Sequence, residues 1–146
     1  MRMREIIPNA LWLGNALDAE DLTRLLDMGI EAIVCLAAEE LPPRITRDLI
    51  YGRYPLVDGA GNSPQLLRAA IECVVSVIDN KLPTLVYCGA GMSRSPAVVS
   101  AALAIAREAS PDQVLADLVR NHPHDVSPIL WQEIRNAIGF DDATRG

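Results

Sequence analysis

The chain has 146 residues, half of them apolar, 22% charged and only 4% aromatic, with a formal net charge of -6. That length suits one domain, residues 1–146, which buries roughly two thirds of its unfolded surface around an aliphatic core. The acidic balance argues against nucleic acid or an anionic membrane as partner, and the longest mostly apolar stretch, Pro96 to Ala106, is too short to cross a bilayer.

From the N-terminus, Met1 to Glu5 is charged and no apolar signal segment follows it. Ala10 to Gly14 reads as a short first strand. Asp18 reads as the N-cap of a helix, with Leu17 and Leu22 as a hydrophobic staple and Leu22, Leu25 and Leu26 on one face. Gly29 ends that helix as its C′ residue. The run Ala32 to Leu36 is apolar throughout, as expected of a strand buried on both faces. Glu39 to Asp48, with Pro42 and Pro43, is a surface connection. A strand is expected over Ile50 to Val57, and then a Gly-rich loop from Asp58 to Pro64.

A helix is expected from Pro64 to about Asp79, with Leu67, Ala70, Ile71, Val74, Val75 and Ile78 facing inward. Thr84 to Cys88 is a second buried strand, Gly89 to Arg94 a loop and Pro96 to Arg107 a helix. Two more helices lie near 111–121 and 128–138. Four helices start with the same pair: Ser63-Pro64, Ser95-Pro96, Ser110-Pro111 and Ser127-Pro128. Serine as N-cap and proline at the first helical position account for the pattern, because that proline lacks an N–H that would be unpaired anyway. The same capping role outweighs a reading of these pairs as kinase sites. The alternation of strand and helix predicts an α/β domain whose central, largely parallel sheet is flanked by helices on both faces.

The chemistry concentrates in Cys88-Gly-Ala-Gly-Met-Ser-Arg94-Ser95, between a buried strand and a helix. Ligands of open α/β sheets bind at the carboxyl ends of the strands. A loop entering a helix N-terminus presents unpaired N–H groups and the positive end of the helix dipole. Gly89, Ala90 and Gly91 are small enough for the backbone to curl round an anion, with Met92 and Ser93 completing the cradle. Arg94 adds a planar donor that fits two phosphate oxygens. The same field stabilises a thiolate at Cys88, which makes that sulfur a nucleophile at the floor of an anion site.

The Cys-x5-Arg-Ser pattern resembles the signature of the protein tyrosine phosphatase superfamily, and its form here looks most like the dual-specificity phosphatase family. Leu11 to Asn15 resembles that family's opening strand, Tyr54 to Asp58 its general-acid strand and loop, and Asn121 to Pro128 the segment before its last helix. The resemblance implies a cysteine-phosphatase fold and hydrolysis of phosphomonoesters through a phosphocysteine. Cys88 is then the nucleophile, Asp58 the general acid and later the base, and Arg94 with the backbone of residues 89–94 the phosphate clamp. Ser95 assists departure of the thiolate. No metal or organic cofactor is implied.

The substrate class implied is a phosphoprotein carrying phosphotyrosine, and in a shallower pocket phosphoserine or phosphothreonine. Two alternatives stay open: a phosphatase for a lipid, RNA or small-metabolite phosphate, and a phosphoprotein-binding module of low turnover. Signature-loop lysines, which mark phosphoinositide enzymes of the superfamily, are absent here.

One position departs from the pattern, because Tyr87 stands where the family usually has a histidine that orders the loop and favours the thiolate. Either that support is lost or the phenol replaces it.

Other features take plainer readings. Cys35 and Cys73 read as packing residues, with an oxidation partner for Cys88 as the alternative. No CxxC pair occurs, so free thiols in a reducing cytoplasm are expected. Asp125 is the second choice for the acid. His122 and His124 lack companion ligands at a recognisable spacing, so no metal is expected there. Trp12 and Trp131 read as core or edge packing.

Overall fold

The computed structural model describes residues 3–44, 48–90 and 92–139. In chain order these hold β1 (Arg4–Ile7), β2 (Leu11–Gly14), α1 (Ala16–Glu20), α2 (Leu22–Asp27), β3 (Ala32–Cys35), β4 (Ile50–Arg53), α3 (Pro64–Asp79), β5 (Thr84–Tyr87), α4 (Arg94–Arg107), α5 (Pro111–Val119) and α6 (Pro128–Ala137). The five strands form one sheet in the order β1-β2-β5-β3-β4. β2, β5, β3 and β4 run parallel, and β1 pairs with β2 antiparallel. Every residue of β2, β3 and β5 is buried, so both faces of the sheet are covered. The α/β expectation holds.

β1 has no counterpart in the sequence expectation. It is a four-residue edge strand in which Arg4 and Glu5 interrupt the apolar pattern, and short charged edges give little periodic signal. At the opposite edge, β4 stops at Arg53 and not at Val57. Its neighbour β3 ends at Cys35, opposite Arg53, so residues beyond it have no strand to pair with. Tyr54 N–H still reaches Cys35 O at 2.9 Å, after which Pro55 intervenes.

The first helical segment also differs. Asn15, not Asp18, is the N-cap: its side chain accepts from Asp18 N–H, and Asp18 accepts from Asn15 N–H at 2.8 Å, closing a capping box. Asp21 then caps a second short helix through Arg24 N–H. Leu17 is 73% exposed, so it forms no staple with Leu22. Gly29 does end α2 as expected, at φ +84°, with Ile30 N–H bonded to Leu25 O and Gly29 N–H to Leu26 O.

α3 buries Leu67, Ala70, Ile71 and Val74 as its periodicity predicts. Val77 joins them, while Val75 and Ile78 are only partly buried. α4 is buried along the whole run from Arg94 to Ala104 and packs against α3, α5 and α6. A helix enclosed on all sides needs apolar or small residues all round, which Ala97, Val98, Val99, Ala101, Ala102 and Leu103 supply. Trp12 is buried in the core; Trp131 is partly buried and donates from Nε1 to Asp112 at 2.8 Å. Among the described residues no helix is long and apolar enough to cross a membrane.

Candidate active site

The central strand β5 delivers Cys88 at its carboxyl end, and α4 begins at Arg94. Between them lies a short turn beyond the carboxyl end of β5. Gly89 O accepts from Ala16 N–H at 3.1 Å, which ties the turn to the start of α1. A Cβ on Gly89 would stand 3.0 Å from a Glu39 carboxylate oxygen and 3.3 Å from one of Glu40, so this close approach needs a glycine. Gly91 lies outside the described residues. Met92 O accepts from Asp125 N–H at 2.8 Å, which draws the segment before α6 over the same turn.

A cavity of about 110 Å³ opens here, lined by Asp58, Cys88, Ala90, Met92, Ser93, Arg94 and Asp125. Residues thirty positions apart in sequence, Asp58 and Cys88, thus line one cavity. Cys88 is 2% exposed and sits at its base, while Asp58 and Asp125 are exposed at its mouth. Ser93 Oγ donates to Asp58 Oδ1 at 2.6 Å and accepts from Ser127 N–H at 3.0 Å. One hydroxyl therefore joins the loop of Asp58, the turn after β5 and the start of α6.

The expected Ser95-Pro96 cap is a misreading. α4 starts at Arg94 with Ser93 as N-cap, and Ser93 makes no side-chain cap bond, because its hydroxyl is engaged by Asp58. Ser95 lies inside the first turn, fully buried, with Oγ unpartnered. Pro96 remains tolerable at the third helical position, since that N–H has no intrahelical acceptor. The other three caps form, with Ser63, Ser110 and Ser127 accepting from Leu66, Gln113 and Leu130 N–H.

Arg94 is 6% exposed. Its Nη1 and Nη2 each donate to Glu39 at 2.5 Å, and Nη1 also donates to Leu56 O at 2.9 Å. A guanidinium has five N–H donors, and these three fix its plane. Nε is buried without a partner, on the edge of the guanidinium away from Glu39. Glu39 had been placed in a surface connection by the sequence, and its role has no local signal. The paired guanidinium pulls its carboxyl down to about 2, and Glu39 in turn raises the Arg94 pKa, with the Cys88 and Asp58 charges adding to the rise.

Tyr87 points elsewhere. Parallel pairing sets Tyr87 opposite Cys35, and paired residues share a face of the sheet while Cys88, the next residue, takes the other. Burial raises the Tyr87 phenol most, followed by the adjacent Cys35 thiol and Tyr51. The Tyr51 hydroxyl is buried beside them, with no partner at hydrogen-bond geometry. Cys35 Sγ faces Ala37 O at 3.9 Å, and Cys73 neighbours Tyr54. All three cysteines are free thiols. His122 and His124 are exposed, and among the described residues no three His, Cys, Asp or Glu side chains gather where a metal could be held.

The family described as "Polymorphic toxin system, DSP-PTPase phosphatase" matches residues 11–108. Human dual specificity protein phosphatase 9 is 32% identical over 127 residues, which is 85% of this chain and 32% of that protein, so the chain spans about a third of its relative's length. Among solved structures, the human tyrosine phosphatase-like serine/threonine/tyrosine-interacting protein superposes with a TM-score of 0.80 at 22% identity, covering 94% of this chain and 95% of the other. Human DUSP28 gives 0.80 at 22% identity, covering 99% and 95%. These two share the fold. With the matched region running from β2 through α4 and so enclosing Asp58, Cys88 and Arg94, the chain belongs to the dual-specificity phosphatase family.

Proposed function

We propose that this chain is a phosphoprotein phosphatase that works through a phosphocysteine, with Cys88, Asp58 and Arg94 as its catalytic residues and residues 89–94 as the phosphate cradle. The observation that carries the reading is the single cavity that joins these three side chains at the mouth of a buried strand–turn–helix unit. The sulfur of Cys88 attacks phosphorus, the bond from phosphorus to the leaving oxygen breaks, and Asp58 gives that oxygen its proton. Water then attacks the phosphocysteine, Asp58 takes a proton from it, and the Cys88 thiolate departs. The Ser93 hydroxyl occupies Asp58 Oδ1, which leaves Oδ2 to carry the proton.

Backbone N–H groups and the open edge of Arg94 hold the non-bridging oxygens as charge shifts. Ser95, buried with an uncommitted hydroxyl, is assigned to the departing thiolate. Phosphotyrosine is the leading substrate, with phosphoserine and phosphothreonine beside it, and a net charge of -6 favours a protein over a polyanionic partner. One hydrophobic core runs through the described residues, which supports a single catalytic domain, and three free thiols suit a reducing cytoplasm.

The test is phosphate release from a chromogenic aryl phosphate with vanadate as competitor, followed by panels of phosphopeptides, phosphoinositides and sugar phosphates. No turnover with retained vanadate binding points to a binding module instead. The matched family's description favours a second reading, in which the domain acts as a polymorphic toxin. Growth arrest on expression in a bacterial host, relieved by Cys88→Ser, supports it; unimpeded growth removes it.

A further inference from the structure

Asp58 sits in a loop that has little structure of its own. Gly59 and Gly61 have φ of +146° and +98°, and a glycine-rich segment loses the most freedom when it is ordered. Something outside the loop must fix it. Asn62, only 8% exposed, folds back across it: Oδ1 accepts from Val57 N–H at 2.8 Å, and Nδ2 donates to Val57 O at 2.9 Å and to Gly59 O at 3.1 Å. The side chain thereby closes a ring with Asp58 inside. Glu133, in the middle of α6, accepts from Gly61 N–H at 2.9 Å and from Asn62 N–H at 3.3 Å, with Asn62 Nδ2 at 3.4 Å. Neither Asn62 nor Glu133 lines the cavity.

From this geometry we infer that Asn62 and Glu133 are positioning residues that set Asp58 for proton transfer before substrate arrives. The inference rests on Asp58 being the general acid. α6 grips the loop at two places, through Ser127 and Ser93 at its start and through Glu133 one and a half turns later. The proton donor is therefore aimed by a helix packed on α3 and α4, and no closing movement is needed to bring it over the substrate. Releasing the Glu133 grip lets Asp58 drift by a fraction of its reach while Cys88 and Arg94 keep their places.

The experiment compares two aryl phosphates, one whose phenol has a pKa of about 10, like tyrosine, and one with a strongly acidic phenol that leaves without a proton. Glu133→Ala is expected to lower kcat on the first roughly tenfold, because misplacing a catalytic group by a fraction of an ångström to 1 Å costs up to about 10²-fold. On the second the loss stays within about twofold, because no proton is delivered in that step. Vanadate affinity and the rate of Cys88 alkylation stay unchanged. Glu133→Asp, which keeps the charge but falls short by one methylene, shows the same selective loss and serves if the alanine variant does not fold.

The double variant Asp58→Ala with Glu133→Ala is expected to be no slower than Asp58→Ala alone. An equal loss on both substrates, no loss on either, or additive losses in the double variant overturns the inference. Should Asp58→Ala itself lose equally on both substrates, the acid assignment fails, an outcome read without any Glu133 variant.

Discussion

The two loops that meet in the cavity are built in opposite ways. The turn from Cys88 to Arg94 is suspended between a strand and a helix that are themselves buried, and contacts from Ala16, Asp125 and Glu39 pin it further. The loop from Asp58 to Asn62 follows a short edge strand, and its shape is imposed by Asn62, by Glu133 more than seventy residues away, and by Ser93. Buried secondary structure thus anchors the turn that carries Cys88, the proposed nucleophile, whereas the loop of Asp58, the proposed acid, is shaped by side-chain contacts. Removing Cys88 should abolish turnover, whereas weakening the contacts around either loop should give graded losses.

The largest effect tests the first half of that contrast. Cys88→Ser is expected to abolish turnover while vanadate still binds, since the cradle and Arg94 do not depend on the sulfur for their geometry. Appreciable residual hydrolysis would mean the covalent step lies elsewhere. Next comes Asp58→Ala, with an expected loss of about 10²–10⁴-fold, shrinking as the leaving phenol becomes more acidic. A loss independent of the leaving group would move the role, with Asp125 on the same rim as the residue to substitute next.

A third, smaller effect probes how firmly the nucleophile side is held. Glu39→Gln takes away half of the bidentate grip on Arg94, and kcat/KM is expected to fall by about tenfold, the scale of one charge-assisted hydrogen bond. A gain in activity would instead mean that Glu39 competes with phosphate for the guanidinium. The same pair has a pH signature. Glu39 titrates at about 2 in the folded chain, below the ordinary carboxylate value of about 4.3. A group depressed in this way contributes stability above its unfolded pKa and loses it as pH falls toward the folded one. Denaturation midpoints of the parent and Glu39→Gln should therefore differ at neutral pH and converge between about pH 4.5 and 2. The gap should be small, because the Glu39 side chain is 55% exposed.

The smallest effect belongs to Tyr87. Its hydroxyl lies with Cys35 and Tyr51 on the face of the sheet away from Cys88, so Tyr87→Phe should leave the pH profile of iodoacetamide alkylation at Cys88 in place, with Cys35 and Cys73 replaced to remove background. A shifted midpoint would show the phenol tuning the nucleophile through the loop after all.

Much of this was legible in the residues. The apolar runs at Ala32 to Leu36 and Thr84 to Cys88 announced buried parallel strands, and three of the four Ser-Pro pairs cap helices where they stand. The Cys-x5-Arg-Ser pattern and the aspartate thirty residues upstream line the same cavity. Each rests on short-range rules: periodicity, a cap, a turn, a motif between two elements.

One misreading is local and two are long-range. Asn15 displaced Asp18 as cap because the capping box works through the N-cap and the third residue after it, and Asp18 fits either place by composition. β1 exists because β2 offers it an edge, not because Arg4 to Ile7 asks to be a strand. Ser95 lost its cap because Ser93 was drawn to Asp58, a partner 35 positions away. What the chain determined by itself was the succession of its buried strands and longer helices and the place of the Cys88–Arg94 turn between two of them, since these depend on neighbours within a few residues. Only the tertiary structure decided that Glu39 grips Arg94, that Tyr87 faces away from Cys88 and that α6 braces the loop of Asp58, because each of these joins segments whose nearness is set by packing of the whole core.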